Sequence, residues 1–509
     1  MIKKAAVEGG IVVGAPAADP RIISFKGIPF AAPPIGENRW RAPQPVIPWE
    51  GEKECFVFKP ISMQHIPGLD QNNIYTREWN VDPTIEMSED CLYLNVWTPA
   101  KTAEEKLPVC VWYFGGGLQE GNPAEMEFDG ERLARRGIVV VTVNYRLNVF
   151  GFLAHPQLTR EQPDAPTNFG HLDQQAGTRW VKRNIAAFGG DPDNITIGGQ
   201  SAGGGSVSLL PLIEGSHKYF KRVIAQSGSP TFTRSTEQAI ACTNELMEKL
   251  GCKTAADLQK LDVQKFIDEA DILTLRVWAE RDGKYLPLDP YKAYAEGAAK
   301  DIDFLQGCTK DEMGYFVVSL GESYNAWADG RKAKKLAQLT EEEKALAESF
   351  CNDAKDTGPE YSSTSRLFDQ IVFIAPMFRM SENQTKAGGK SYTYYFTVES
   401  SVPCMKSGHA IELSTVFNHP EETLVTGRRF DETFSKTMRK MWVQFAKTGN
   451  PSLTADISPD GKAHTWPLYD SEDKSIMIFD EFNIHPEKES ERKILDWERC
   501  YFLTKYFCI

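Results

Sequence analysis

The sequence predicts an α/β fold with a large, mostly parallel central sheet flanked by helices and with helical insertions over the site entrance. Three observations carry this. Short apolar runs of strand length alternate with segments of helical period, the pattern of a sheet covered by helices. Neither repeats nor low-complexity linkers divide the chain. A glycine-rich junction joins a strand signal directly to a helix signal around residue 201. The 509 residues are read as one domain, 1–509, with insertions around 232–300 and 318–375.

In chain order, Pro108 to Phe114 is an apolar strand running into Gly115-Gly116-Gly117. Gly137 to Tyr145 is a valine-dense strand, too short to span a bilayer. Asp173 to Phe188 reads as a helix, since Ala176, Trp180, Val181, Ile185 and Phe188 share one face. Asn194 to Gly199 is a strand, a helix follows Ser201, and Arg222 to Ala225 is the next strand. The insertions carry charged helical patterns, Arg331 to Phe350 among them, whose charges read as a solvated helix face. Sheet signals return at Phe304-Leu305 and at Tyr392 to Val398. A last helix begins at Thr433 and places Phe434, Met438, Met441, Trp442 and Phe445 on a core stripe, with Gly449 as its stop.

Composition excludes several classes. A formal net charge of −13 and a pI near 5.3 argue against a nucleic-acid partner and against docking on anionic lipid. No apolar run approaches the roughly 20 residues of a membrane span. The opening residues hold two lysines with no apolar stretch behind them, so no secretory leader is expected. The ten cysteines are scattered without C-x-x-C pairs or histidines at metal spacing, which predicts free thiols, no metal site and a cytoplasmic setting.

Gly199-Gln200-Ser201-Ala202-Gly203 has the pattern G-x-S-x-G. The pentapeptide alone is a weak signal. Between a strand and a helix it becomes specific, because a strained turn there exposes a serine Oγ as a nucleophile. Attack on an ester produces an oxyanion, which needs aimed N–H donors. Gly115-Gly116-Gly117, after its strand, and Ala202, after the serine, suit that role. The chain order serine, acid, histidine leaves His409, His419, His464 and His485 as candidate bases. His409 follows the turn Ser407-Gly408 and suits the role best. Asp311 and Glu312 both follow the Phe304-Leu305 strand, and pattern does not choose between them.

With these motifs in place, the chain resembles the type-B carboxylesterases, the group that includes cholinesterases and bacterial para-nitrobenzyl esterases. The resemblance runs nearly end to end. It rests on residues 25–31 and 33–36, on Ser88-Glu89-Asp90-Cys91-Leu92 to Val96, and on Phe188-Gly189-Gly190-Asp191-Pro192 leading into the serine motif. Lys447 to Pro451 and Trp466-Pro467 add to it. It implies an α/β-hydrolase fold and a serine hydrolase cleaving small-molecule carboxylic esters through an acyl-enzyme, with no cofactor. Ser201 falls on the nucleophile, Glu312 on the acid, which raises it above Asp311, and His409 on the base. Gly116, Gly117 and Ala202 fall on the oxyanion donors, and Arg39 with Glu89 on a structural ion pair.

The chain departs from the family pattern at four points. Gln200 stands where many relatives have Glu, and Leu118 where Phe is usual. Cys91 faces Met63 at its usual partner's position, and Trp79 is displaced by two from the tryptophan that holds quaternary ammonium in cholinesterases. Neutral esters are therefore expected to be preferred over choline esters. The rival readings are an amide or carbamate hydrolase, an esterase for feruloyl or acetyl groups of polysaccharides, and a non-catalytic adhesion module on the same fold.

Overall fold

The computed structural model describes residues 1–65, 77, 85–162, 167–268, 278–353, 361–418, 423–470 and 472–488. The chain forms two compact units. One comprises Met1–Gly68, Asn80–Arg222 and Thr233–Pro290; the other comprises Leu69–Trp79, Val223–Phe232 and Tyr291–Ile509.

In the first unit the strands lie in the order Ala15–Pro16, Ile23–Pro29, Tyr93–Thr98, Val139–Val143, Leu107–Tyr113, Gly190–Gln200. Pairing is antiparallel from Ala15–Pro16 as far as Val139–Val143 and parallel beyond it. Val139–Val143 is buried at every position, as a strand covered on both faces must be, and its residues are accordingly Val-Val-Val-Thr-Val. The predicted helix after residue 173 starts earlier, spans Phe169–Asn184, and tightens into a 3₁₀ turn over Ile185–Phe188. Gly189, at φ 77°, ends it. Trp180, Val181, Ile185 and Phe188 are fully buried, and Phe188 meets Phe25 edge-on at 4.9 Å between centroids.

In the second unit Asp303–Thr309 pairs in parallel with Lys390–Phe396, which pairs in parallel with Ile476–Asp480; Asn483–Glu487 closes this edge antiparallel. The helix Glu432–Thr448 lays its aromatic–methionine stripe on these strands. Trp442 packs on Tyr394 at 5.2 Å and on Phe479 at 5.4 Å, and Gly449, at φ 80°, stops the helix as expected.

The insertions differ from the sequence reading in two places. Residues 232–300 are not helical throughout: Thr233–Ser235 and Ala279–Arg281 form a short parallel pair. The charged run 331–350 is two helices, Tyr324–Leu336 and Glu341–Asp353. The second starts because Thr340 and Glu343 cap each other: the Glu343 N–H donates to Thr340 Oγ1 and the Thr340 N–H to Glu343 Oε2. Farther on, a wide π-turn over Asp369–Ile374 interrupts the path from Ser363–Phe368 to Ala375–Lys386. Among the described residues no helix is long and apolar enough to cross a membrane.

Candidate active site

The turn that carries the candidate nucleophile, Ser201, belongs to the first unit and is shaped by the absence of side chains. Ser201 sits at φ 57°, ψ −126°, between the strand Gly190–Gln200 and the helix Ala202–Leu209. An L-residue reaches this region only under strain of about 1–3 kcal/mol, which the surrounding packing must offset. That packing requires glycine. A Cβ on Gly203 would overlap the Tyr113 carbonyl oxygen, and one on Gly199 would lie 2.8 Å from the same atom. The two glycines of G-x-S-x-G thus let the turn lie directly on the strand Leu107–Tyr113. The helix accepts its first bond at the Ser201 carbonyl from the Gly205 N–H, 2.8 Å away. The first-turn N–H groups, Ala202's among them, have no acceptor within the helix.

The glycine loop approaches the same turn. A Cβ on Gly115 would stand 3.0 Å from Ser201 Cβ and 2.9 Å from the Gln200 carbonyl oxygen. Gly116 and Gly117 follow at φ 93° and 67°, backbone conformations that L side chains rarely adopt. The loop closes on itself, with the Gln119 and Glu120 N–H groups both donating to the Gly116 carbonyl, at 3.0 and 3.1 Å. It is held from outside by groups that sequence reasoning missed. Gln64 clamps Gly121 through both ends of its amide, accepting at 2.8 Å and donating at 3.0 Å. The Asn148 N–H donates to the Leu118 carbonyl at 2.7 Å, and its side chain donates to the Met63 and Gln119 carbonyls. Such long-range amide clamps carry no sequence signature.

The turn that carries the candidate base and acid, His409 and Glu312, belongs to the second unit and is shaped by polar side chains. His409 Nδ1 lies 2.5 Å from Glu312 Oε2. The other carboxylate oxygen, Oε1, accepts from Ser227 Oγ at 2.6 Å and from the Thr309 N–H at 2.8 Å. Glu312 is fully buried and His409 nearly so. Asp311, the alternative, is occupied otherwise: it pairs with Arg366 and accepts from the Ser407 N–H. Of the other histidines, His464 bonds Asp460 at 2.9 Å, His485 sits on the exposed edge strand, and His419 lies outside the described residues.

A second carboxyl stands behind this pair. Glu412 accepts from Gln226 Nε2 at 3.0 Å, and Gln226 in turn accepts from the Trp442 indole. Burial, reinforced by the charge of Glu312, pushes Glu412 up to about 7. The π-turn brings Phe373 to 4.8 Å from the His409 ring, and Phe316 stands at 5.7 Å. Arg39 and Glu89 form a bidentate ion pair at 2.6 Å for each contact, as the resemblance implies. Gln200 is buried, and Trp79 lies outside the described residues. Eight of the ten cysteines fall in the described part, and all eight are free thiols.

A family model described as the carboxylesterase family matches residues 2–496. The chain belongs to the carboxylesterase family. This carboxylesterase is similar to the para-nitrobenzyl esterase of Bacillus subtilis (strain 168), at 33% identity over 487 residues, 92% of this chain and 94% of that protein. It is also similar to the cholinesterase of Mus musculus, at 31% identity over 525 residues, 96% of this chain and 83% of that protein. Among solved structures, a carboxylesterase of Geobacillus stearothermophilus matches with a TM-score of 0.78 at 31% identity, covering 97% of this chain and 100% of that one. A PNB esterase matches with a TM-score of 0.79 at 31% identity, over 98% and 100%. The fold is that of the α/β hydrolases, and the protein is a carboxylic-ester hydrolase.

Proposed function

We propose that this carboxylesterase cleaves small neutral esters with Ser201 as nucleophile, His409 as general base, Glu312 as orienting acid, and Gly116, Gly117 and Ala202 as oxyanion donors. The observation that carries the reading is the His409–Glu312 contact of 2.5 Å, with the far carboxylate oxygen held by Ser227 and Thr309. A carboxylate on Nδ1 puts the ring proton there and leaves Nε2 as the accepting nitrogen. The strained turn at Ser201 supports the same reading from the other unit.

His409 Nε2 takes the Ser201 hydroxyl proton as Oγ bonds to the ester carbonyl carbon. The carbonyl electron pair moves onto oxygen, where the backbone N–H groups stabilise it. The pair returns, the carbon–alkoxy bond breaks, and the imidazolium gives its proton to the leaving alcohol. Water then adds to the acyl-enzyme through the same base, releasing the carboxylic acid and restoring the serine proton. Protein groups and water carry every bond change. In this reading residues 1–509 are one catalytic domain, with 232–300 and 318–375 as its insertions.

Ser201→Ala tests it. Turnover should fall by at least about 10⁴-fold with the melting curve preserved. A neutral organophosphonate should label Ser201 alone, and label on Ser227 instead would sink the assignment. We further propose a reducing, cytoplasmic setting, supported by the free thiols at Cys55 and Cys91. Counting thiols on protein denatured without reductant checks it, and a Cys55–Cys91 link would overturn it.

A further inference from the structure

We propose that Glu120 sets the charge preference of the site: its carboxylate draws esters that carry an ammonium group and turns away esters that carry a carboxylate. The inference rests on Ser201 being the nucleophile. Glu120 is the one acidic residue of the glycine loop 115–121, and two consecutive glycines lead to it from the serine. A Cβ on Gly115 would stand 3.0 Å from Ser201 Cβ, and a Cβ on Gly116 would stand 3.2 Å from Glu120 Cγ. The acid therefore lies along the backbone whose N–H groups face the developing oxyanion in the proposed mechanism.

Two further observations set Glu120 apart from a structural carboxylate. No described residue donates a hydrogen bond to its carboxyl or forms an ion pair with it; the loop is held instead by Gln64 and Asn148. Its side chain keeps partial solvent exposure. Yet enough protein surrounds it that burial alone pushes its carboxyl up to about 7. Glu120 is thus largely enclosed by protein while keeping contact with solvent. Several ionisable groups lie on the neighbouring segments. These are His65 beside Gln64, Arg146 (bound to Asp173), and Glu125 and Glu127 downstream; none contributes to the shift. Gln200, beside Ser201, carries no charge, and the loop that lies against it carries the acid. This qualifies the neutral-ester preference expected from Gln200: it holds while Glu120 is protonated and gives way to ammonium esters as Glu120 ionises.

The test uses three esters of one size and one leaving group, whose acyl parts end in a neutral group, a trimethylammonium or a carboxylate. kcat/KM is measured for each at pH 8 and pH 5.5, for the native enzyme and Glu120→Gln. In the native enzyme the ammonium-to-carboxylate ratio should be at least about tenfold higher at pH 8 than at pH 5.5. Glu120→Gln should lower the pH 8 ratio about tenfold, mainly through KM, and make it independent of pH. A native ratio that does not change with pH, or one at pH 8 that Glu120→Gln leaves unmoved, overturns the proposal. Should the variant fail to fold, the native pH dependence decides. Organophosphonate labelling separates this inference from the one beneath it. Normal label on Ser201 with a flat ratio removes Glu120 alone, whereas label elsewhere removes the site.

Discussion

The turn at Ser201, proposed as nucleophile, and the turn at His409, proposed as base, achieve positional precision by opposite means. Around Ser201 the geometry is set by what is missing: Gly199 and Gly203 lie against the Tyr113 carbonyl with no room for a methyl group. Around His409 it is set by what is bonded: Ser227, Thr309 and Glu312 form a buried chain of hydrogen bonds ending on the imidazole. One turn is therefore sensitive to added volume and the other to a lost donor or charge. The contrast follows from the tasks proposed for the two residues. A serine must be thrust out of a strand end at an unfavourable φ, which only close backbone packing enforces. An imidazole must keep one tautomer, which only a fixed acceptor enforces.

The largest effect expected on this contrast is at the charge. Glu312→Gln should lower turnover about 10²- to 10⁴-fold while melting changes little. Asp311→Asn should do the reverse. It breaks a buried pair with Arg366, at a cost of about 3 kcal/mol in stability, and leaves turnover per folded molecule far less affected. Kinetics and melting curves on both variants check this; equal losses in turnover would move the acid to Asp311. Next comes volume. Gly203→Ala should cost about 3 kcal/mol or more in stability, because the new methyl meets backbone that cannot yield. Ser227→Ala, which removes one of two donors to Oε1, should lower turnover only about three- to tenfold. A Gly203→Ala variant that melts like the native protein would remove the close-packing account.

The last effect, read only as a change of stability with pH, belongs to Glu412. Its folded value near 7 lies above that of an exposed glutamate, so between about pH 4.3 and 7 the unfolded chain has lost a proton that the folded chain retains. Stability from this group is thus complete below that window and declines as pH rises through it, by up to about 3 kcal/mol. Glu412→Gln should flatten that part of the stability–pH curve, measured by denaturant unfolding at constant salt. A variant curve as steep as the native one would place the proton elsewhere.

Much of this was legible in the sequence because it is local. The strand-to-helix junction at Ser201, the Gly115–Gly117 loop and the stripe from Phe434 to Phe445 are set by residues close in the chain. The break in the 331–350 run was also readable, in Thr340-x-x-Glu343, but helical charge periodicity on both sides concealed it. The contacts that were not legible join distant segments. Ser227 reaches Glu312 across 85 positions and Gln64 reaches Gly121 across 57, and neither serine nor glutamine announces such a partner. The preference for Glu312 over Asp311 came from resemblance; in the structure Glu312 bonds His409 and Asp311 pairs with Arg366.

The π-turn at Asp369–Ile374 has a consequence for how this chain tolerates insertions and deletions. A wide turn accommodates one more residue than an α-turn over the same length of axis, so it behaves as a single-residue insertion stored inside a helix. Removing one residue there would let the helix close to regular α geometry and rotate everything on one side of it by about 100°. Phe373, at 4.8 Å from the His409 ring, would swing away although no residue touching His409 had been replaced. In length variants of this protein, the count of residues between Phe368 and Ala375 matters to the surroundings of His409 as much as their identity does.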